Sequence, residues 1–224
     1  VIRFDRVSPD RVVTILNGID TERSQSSLTR PEARSRLQLP LDAKVLVTIG
    51  RLVEQKGHTI LLQALHQLQQ NGSHDIYAVL VGDGPWRQRL QEQAAALGLE
   101  QHVRFLGTRT DIGDILRAAD LYVMPSLWEG LGLALLEGMA AGLPVLASRV
   151  GGMVEVLGEG LYGHLIPAND VNALVQQLSS LLAPGTDLGA MALAAQRRVA
   201  DFSATKMVSA ISDVYTETFA TSKK

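Results

Sequence analysis

The 224-residue sequence contains no cysteine, which excludes disulfides, thiolate metal sites and a cysteine nucleophile and is consistent with a reducing compartment. No apolar run approaches the roughly 20 residues that a helix needs to cross a bilayer. Acidic and basic residues nearly balance, at a net charge of −2, so the composition favours neither nucleic acid nor a polybasic membrane surface as a mode of binding. With 46% hydrophobic residues, the chain can form one large domain or two small ones.

Residues that commonly bind metals are present but scattered. The five histidines show no H-x-x-x-H spacing, and no Asp-x-Asp pair occurs in the chain. A divalent cation that bridges a diphosphate would therefore lack its usual pair of carboxylates. We expect no metal and no other cofactor. The chain begins at Val1 without an initiator methionine, and we expect it to be a fragment or a processed chain.

Apolar, strand-like runs alternate with helical patterns, an order typical of a parallel α/β sheet with helices on both faces. We predict strands over 12–16, 45–49, 76–81, 103–106, 121–124, 144–148 and 165–167. We predict helices over 31–37, 58–70, 85–97, 112–119, 133–141, 153–157, 172–182, 188–202 and 205–219. Such a Rossmann-like, doubly wound sheet binds ligands at the carboxyl ends of its strands. A ligand is therefore expected at the loops that follow the strands, which are 50–57, 82–84, 107–110, 125–132 and 149–152.

The stretch 125–148 places two acidic residues around the start of a short predicted helix. Glu129 lies in a glycine-rich loop, and Glu137 follows eight positions later within the helix. Backbone N–H groups between Gly132 and Ala134 are unpaired in the first turn and can bind an anion. Since carboxylates accept hydrogen bonds from hydroxyls, a polyhydroxylated ligand with an anionic centre fits the pattern. The spacing alone leaves open that both acids are ordinary solvated residues, with Glu129 beside a helix dipole.

The loop after the first buried strand contains two cations, Arg51 and Lys56. Both can bind a diphosphate, Arg51 through its planar guanidinium and Lys56 as a point charge, although two ordinary surface charges would give the same pattern. The turn at 82–84 has the sequence Gly-Asp-Gly, but it is not a dinucleotide-binding fingerprint, because its third glycine would occupy the position of Arg87.

The pattern Glu129-x7-Glu137, followed by Gly-Leu-Pro-Val, is similar to the signature of the family 4 retaining glycosyltransferases, which transfer sugars from nucleotide-sugar donors. The Gly-Arg…Lys-Gly loop, the Val-Gly-Asp-Gly-Pro turn and the Val-Arg-Phe-Leu-Gly segment resemble further parts of that family in the same order. The likeness extends over 12–219. One difference is Leu131, where the family usually has phenylalanine.

The resemblance implies roles for individual residues. Arg51 and Lys56 would bind the donor diphosphate and neutralise the leaving group, and Glu129 would bind hydroxyls of the transferred sugar. Glu137 would hold the ribose hydroxyls. The remaining implied donor-binding positions are mostly glycines and backbone amides: Gly50, Gly82, Gly107, Thr108, Gly130, Leu131, Gly132, Leu133 and Ala134.

The resemblance also implies a two-domain B-type enzyme with its active site between two Rossmann-like domains. We expect this chain to be the donor-binding, C-terminal half. Residues 1–40 would be an interdomain strand and linker, 41–202 the Rossmann-like domain, and 203–224 a helix that crosses toward a missing N-terminal domain. The isolated half is expected to be inactive.

The function implied is transfer of a hexosyl group from a nucleotide-diphosphate sugar to a hydroxyl acceptor in glycan, lipid or polysaccharide biosynthesis. We expect a cytoplasmic location, with peripheral association at the inner face of the membrane through the missing domain as an open alternative. Two other functions remain open: a non-catalytic nucleotide-sugar-binding module, and a sugar-nucleotide epimerase of the same architecture. The closer match of the stretch from Glu129 to Pro144 favours the transferase.

Overall fold

The computed structural model describes residue 8 and residues 11–221, so the outer parts of the predicted ranges 1–40 and 203–224 lie outside the described residues. Six parallel strands form one sheet in the order β3-β2-β1-β4-β5-β6. The strands are Lys44–Ile49 (β1), Ile76–Val81 (β2), Val103–Gly107 (β3), Leu121–Met124 (β4), Val145–Ser148 (β5) and His164–Ile166 (β6). This arrangement confirms the predicted Rossmann-like, doubly wound fold.

Helices cover both faces of the sheet. In the described part of the chain they are Arg30–Arg36 (α1), His58–Gln70 (α2), Arg87–Ala96 (α3), Ile112–Ala118 (α4), Leu133–Ala140 (α5), Gly152–Val156 (α6), Val171–Leu181 (α7), Gly189–Arg198 (α8) and Ala204–Thr221 (α9). Short 3-10 turns occupy Thr21–Ser24, Glu54–Lys56, Gly158–Gly160 and Val199–Phe202. Most predicted elements agree with these bounds to within one to three residues.

The core consists of two apolar layers, one on each face of the sheet. Along β1, Val45 and Val47 belong to the layer that also contains α5, whereas Leu46 belongs to the layer beneath α2. Both faces are buried, and for this reason the central strands read as continuous apolar runs instead of alternating patterns. Each fully buried leucine stabilises the fold by roughly 1.5–3 kcal/mol.

The strand order reverses between β1 and β4, which are hydrogen-bonded neighbours with Leu46 opposite Leu121. The chain leaves β1 toward α2 on one face and leaves β4 toward α5 on the other. The loops that follow both strands therefore reach the crevice at the carboxyl edge of the sheet, which is where doubly wound folds bind ligands.

The predicted strand over 12–16 is wrong. These residues form no strand, and the first pairing in this part of the chain is a bridge between Ile19 and Ser203. The β-branched residues that suggested a strand include Val13, which is 62% exposed and has no sheet face to cover. The helix predicted from 85 also begins later, at Arg87. A turn precedes it, in which the N–H of Arg87 donates to the carbonyl of Gly84 (3.1 Å), and the N–H of Trp86 donates to the carbonyl of Leu52 (3.0 Å).

Residues predicted as a linker pack against the sheet. Thr29 and Glu32 form a capping box at the start of α1, and Ala33 and Leu39 are buried in the core. Arg34, only 3% exposed, pairs with Asp120 (2.7 Å) and donates to the carbonyl of Ala118 (3.0 Å). These contacts tie α1 to the chain just before β4. The domain boundary at residue 40 stays a prediction.

The last helix, α9, presents an apolar face to solvent. Val208, Ile211, Tyr215 and Phe219 are all exposed. Among the described residues, no helix combines the length and the apolar character needed to cross a bilayer.

Candidate functional site

Three contacts join the loops after β1 and β4 across the crevice. The Lys56 Nζ lies 2.5 Å from Glu129 Oε1, and their side chains are only 18% and 7% exposed. The Leu127 N–H donates to the carbonyl of Gln55 (2.8 Å), and the Gln55 side-chain amide donates to the carbonyl of Trp128 (3.0 Å). The two predicted site residues Lys56 and Glu129 are therefore in direct contact, as an ion pair largely shielded from water.

Glu129 has a second partner that the sequence analysis missed. The hydroxyl of Ser126, which is fully buried, donates to Glu129 Oε1 at 2.9 Å. A serine three positions before an acid in a loop is a local signal for such a bond, and it could have been noticed. The carboxylate is thus held from its own loop and from the loop after β1.

Predicted glycines line the carboxyl ends of β1, β2 and β3. The Gly82 N–H donates to the carbonyl of Gly107 (2.8 Å), and the Gly50 N–H donates to Val81 (2.9 Å). Gly82 has φ +128°, and a Cβ there would lie 2.1 Å from the Gly50 carbonyl oxygen, so no other residue fits. The aliphatic stem of Lys56 lies over Gly50. These positions form a narrow floor beside the ion pair.

The start of α5 is open, as predicted for an anion site. Gly132 precedes the helix in a left-handed conformation, and its carbonyl accepts from Leu135 (2.9 Å). The N–H groups of Leu133 and Ala134 have no acceptor among the described residues, and the Leu133 side chain is 42% exposed. The first turn of α5, near the ion pair, therefore combines the positive potential of the helix dipole with free backbone amides.

Glu137 is a half-buried carboxylate on α5 with no ion pair or side-chain hydrogen bond among the described residues. Burial raises its pKa, and the positive charge of Arg23 partly opposes this shift. Burial also raises the pKa of Tyr122, with the charges of Glu137 and Glu129 adding to the effect, so both carboxylates face this tyrosine beside the end of β1. No local sequence pattern indicates that Arg23 lies near Glu137, since the two residues are far apart along the chain.

The remaining predicted site residues make fewer contacts with this site, and some make none that the structure describes. The carbonyl of Gly130 accepts from the N–H of Gly152 (2.7 Å), and Leu131 packs against the core beside it. Arg51 lies at the crevice end of β1, but its exposed side chain has no ion pair within the described part of the chain. Thr108 is exposed after β3, and within the described part of the chain its side chain has no hydrogen bond to the other site residues.

The loop after β5 supports the backbone of Glu129. Gly151 has φ +45°, and a Cβ at this position would lie 1.9 Å from the Glu129 carbonyl oxygen. Such close approach of two backbones is open only to glycine. The loop therefore determines where the backbone of Glu129 can lie.

His58 opens α2 directly beneath the loop that carries Lys56 and is 1% exposed. Its Nε2 lies 3.4 Å from the Arg51 carbonyl, which can only accept, so we assign the ring proton to Nε2. Nδ1 has no partner. Burial lowers the pKa of His58 to about 4, and the charge of Lys56 acts in the same direction. The imidazole is therefore neutral at physiological pH.

Residues 29–198 match the family described as glycosyl transferases group 1, which is most of the chain. The chain belongs to this family. Its relatives include a D-inositol 3-phosphate glycosyltransferase from Corynebacterium urealyticum, 36% identical over 203 residues, which are 86% of this chain and 48% of the relative. A UDP-Gal:alpha-D-GlcNAc-diphosphoundecaprenol alpha-1,3-galactosyltransferase from Escherichia coli is 32% identical over 77% of this chain and 45% of that protein. The chain thus spans about half the length of the curated relatives that it matches.

Solved structures agree with the family assignment. HepE from Anabaena, in complex with UDP and glucose, matches with a TM-score of 0.85 at 27% identity, over 93% of this chain and 58% of that one. The C-terminal domain of a group 1 family protein from Francisella tularensis matches with a TM-score of 0.70 at 24% identity, which shows the fold alone. It covers 82% of this chain and 97% of that domain. Our group 1 domain has the fold of a C-terminal domain of this family.

The lowered pKa of His58 predicts acid sensitivity of this group 1 domain. Between pH 6.5 and 4 the unfolded state binds a proton that the folded state excludes, so stability falls as the pH falls. From pH 7 to 5 the loss due to His58 is about 2 kcal/mol. Urea unfolding should show this loss in the wild type, and His58→Gln should reduce it. His74→Gln, at an exposed position, serves as the control. An undiminished loss in His58→Gln would contradict the assignment.

The raised pKa of Glu137 predicts a gain in stability on neutralisation. Its charged form is disfavoured by folding, so stability is lost as the pH rises above the ordinary value of 4.5 through the raised pKa. We expect Glu137→Gln to raise the Tm at pH 7 by roughly 2–4 °C, the shift that about 1 kcal/mol produces in a domain of this size. The exposed Glu100→Gln is the matched control. The interpretation fails if the two variants melt alike.

The close approach of Gly151 to Glu129 predicts that Gly151→Ala is strongly destabilising. The matched control is Gly98→Ala, which also has a positive φ but meets no atom within 4 Å of the new Cβ. Both variants bear the cost of left-handed backbone, about 1 kcal/mol or more. Only Gly151→Ala adds a clash, and chemical denaturation should place its stability at least about 1 kcal/mol lower. Equal stabilities would show that the loop rearranges freely.

Proposed function

We propose that this domain is the donor-binding half of a retaining glycosyltransferase, which moves a hexosyl group from a nucleotide-diphosphate sugar to a hydroxyl acceptor. The observation that carries the proposal is the Lys56–Glu129 pair beside the open amides of α5, at the carboxyl edge of the sheet. The names of the relatives support sugar transfer, and the structure of HepE with UDP and glucose supports a nucleotide-sugar ligand.

The diphosphate of the donor would bind where positive charge gathers. Lys56 has three N–H donors, of which Glu129 engages one, so two remain for phosphate oxygens. The amides of Leu133 and Ala134 supply further donors, and the exposed side chain of Arg51 can close over the diphosphate. We propose that these groups, without a metal ion, stabilise the charge that develops on the leaving diphosphate. The described residues contain no cluster of three His, Asp or Glu side chains that could hold a metal.

The two carboxylates would bind hydroxyl groups at opposite ends of the donor. Glu137 has no ion pair or side-chain hydrogen bond among the described residues, and a pair of ribose hydroxyls would supply the hydrogen bonds that its half-buried charge needs. Glu129 would accept hydrogen bonds from the transferred sugar. The acceptor hydroxyl would attack from the face that the diphosphate leaves, which retains the configuration at the anomeric carbon. Glu129 would bind the sugar and would not act as a covalent nucleophile.

A second α/β domain would complete the active site. That domain would bind the acceptor. It would also pack against the apolar face of α9, which is exposed in this chain. The chain alone would then bind donor but transfer nothing. The alternative is a non-catalytic nucleotide-sugar-binding module. Assays of sugar transfer by a two-domain protein would distinguish the two functions. The cytoplasmic location and the membrane association through the other domain stay predictions.

Calorimetry with UDP, UDP-glucose and UDP-galactose tests the donor site. Lys56→Ala should lower the affinity for all three ligands at least tenfold, because it removes charge-assisted hydrogen bonds to phosphate. Glu129→Gln should lower the affinity for the UDP-sugars but not for UDP. Because it removes a negative charge beside the phosphates, UDP should bind equally or more tightly. Lys44→Ala, at the opposite edge of the sheet, is the control.

Three outcomes would count against the proposal. If no UDP-, GDP- or ADP-sugar binds, the donor-site assignment is wrong. Equal losses for UDP and UDP-sugars in Glu129→Gln would exclude the sugar role of Glu129. Sugar transfer by the chain alone, with a panel of donors and acceptors, would contradict its proposed inactivity.

A further inference from the structure

Ser126 and Lys56 contact the same oxygen of Glu129. The Ser126 hydroxyl donates to Oε1 at 2.9 Å, and the Lys56 Nζ lies 2.5 Å from that same atom. The other oxygen, Oε2, has no hydrogen bond with any described residue. An ionised carboxylate has two oxygens with about four lone-pair positions, so the protein satisfies one half of this group and leaves the other half open.

Lys56 is a shared anchor for Glu129. Under the proposed function, two of its three N–H donors bind the incoming diphosphate, so its charge is divided between the phosphates and Glu129. Ser126 faces no such competition, because it is fully buried and its hydroxyl has one partner in the structure. When phosphate draws Lys56 toward itself, the bond from Ser126 keeps the carboxylate in place.

We propose that Ser126 is a positioning residue for donor recognition: it holds Oε1 of Glu129 so that Oε2 accepts the hydrogen bond from a hydroxyl of the donor sugar. A glutamate has three rotatable side-chain bonds, and a binding group on such a chain needs support from neighbouring residues to keep its geometry. This inference rests on the proposed function, since it assumes that the ligand of Glu129 is the sugar of a nucleotide-diphosphate sugar.

The test compares nucleotide with nucleotide sugar. Calorimetry measures the affinity of UDP and of the UDP-sugar that the wild type binds most tightly. Ser126→Ala should weaken the UDP-sugar roughly tenfold, the effect of one lost hydrogen bond to a charged group, and change UDP less than twofold. Ser126→Thr keeps the hydroxyl and should restore most of the sugar affinity. Ser24→Ala, which also removes a buried hydroxyl but one without a partner, should change neither affinity.

A double-mutant cycle separates positioning from mere packing. In a Glu129→Ala background the added Ser126→Ala should cost no further affinity, because the group that Ser126 positions is absent. Equal weakening of UDP and UDP-sugar by Ser126→Ala, unchanged sugar affinity, or a further loss in the Glu129→Ala background would overturn the assignment. If Glu129→Ala removes the sugar preference and Ser126→Ala does not, only the role of Ser126 fails. If the wild type binds no nucleotide sugar, the proposed function fails with it.

Discussion

The ion pair between Lys56 and Glu129 is the interaction on which the site depends. Because both side chains are largely shielded from water, removing one partner would leave the other charge poorly compensated, at a cost of up to about 3–5 kcal/mol for a fully buried pair and less for this partly exposed one. The pair exists because β1 and β4 are neighbours in the sheet, which brings the two loops together at its carboxyl edge. The same contact places a cation and an acceptor of hydroxyl bonds within one ligand's reach.

Around this pair, burial acts on two titratable groups. Glu137 is half-buried with no ion pair or side-chain hydrogen bond among the described residues, and His58 is kept neutral beneath the loop of Lys56. A neutral ring avoids a second positive charge at the base of the loop, which would repel Lys56. Buried charges and strained positions of this kind concentrate at functional sites, where a ligand supplies the missing partner. Under the proposed function, stability and donor binding are therefore opposed at Glu137.

The comparisons and the geometry lead to the same view of the chain. Membership of the glycosyl transferases group 1 family, and relatives about twice its length, agree with a domain whose site opens at one edge of the sheet and is lined from one side only. The exposed apolar face of α9 is a second surface that the described residues leave uncovered. Both features are expected of a half that functions against another domain.

The sequence by itself determined the α/β order and nearly all helix and strand bounds, and it made Lys56, Glu129 and Glu137 candidate site residues, because periodicity, turn residues and charge type are local properties. Only the tertiary structure decided that Lys56 and Glu129, 73 positions apart, form a pair, that Ser126 shares an oxygen with Lys56, and that Arg23 lies near Glu137. The same limit explains the wrong strand over 12–16, whose β-branched residues found no partner strand. The contacts of Lys56 and Arg23 depend on which strands are neighbours and on how deeply each side chain is buried, and no local pattern encodes either.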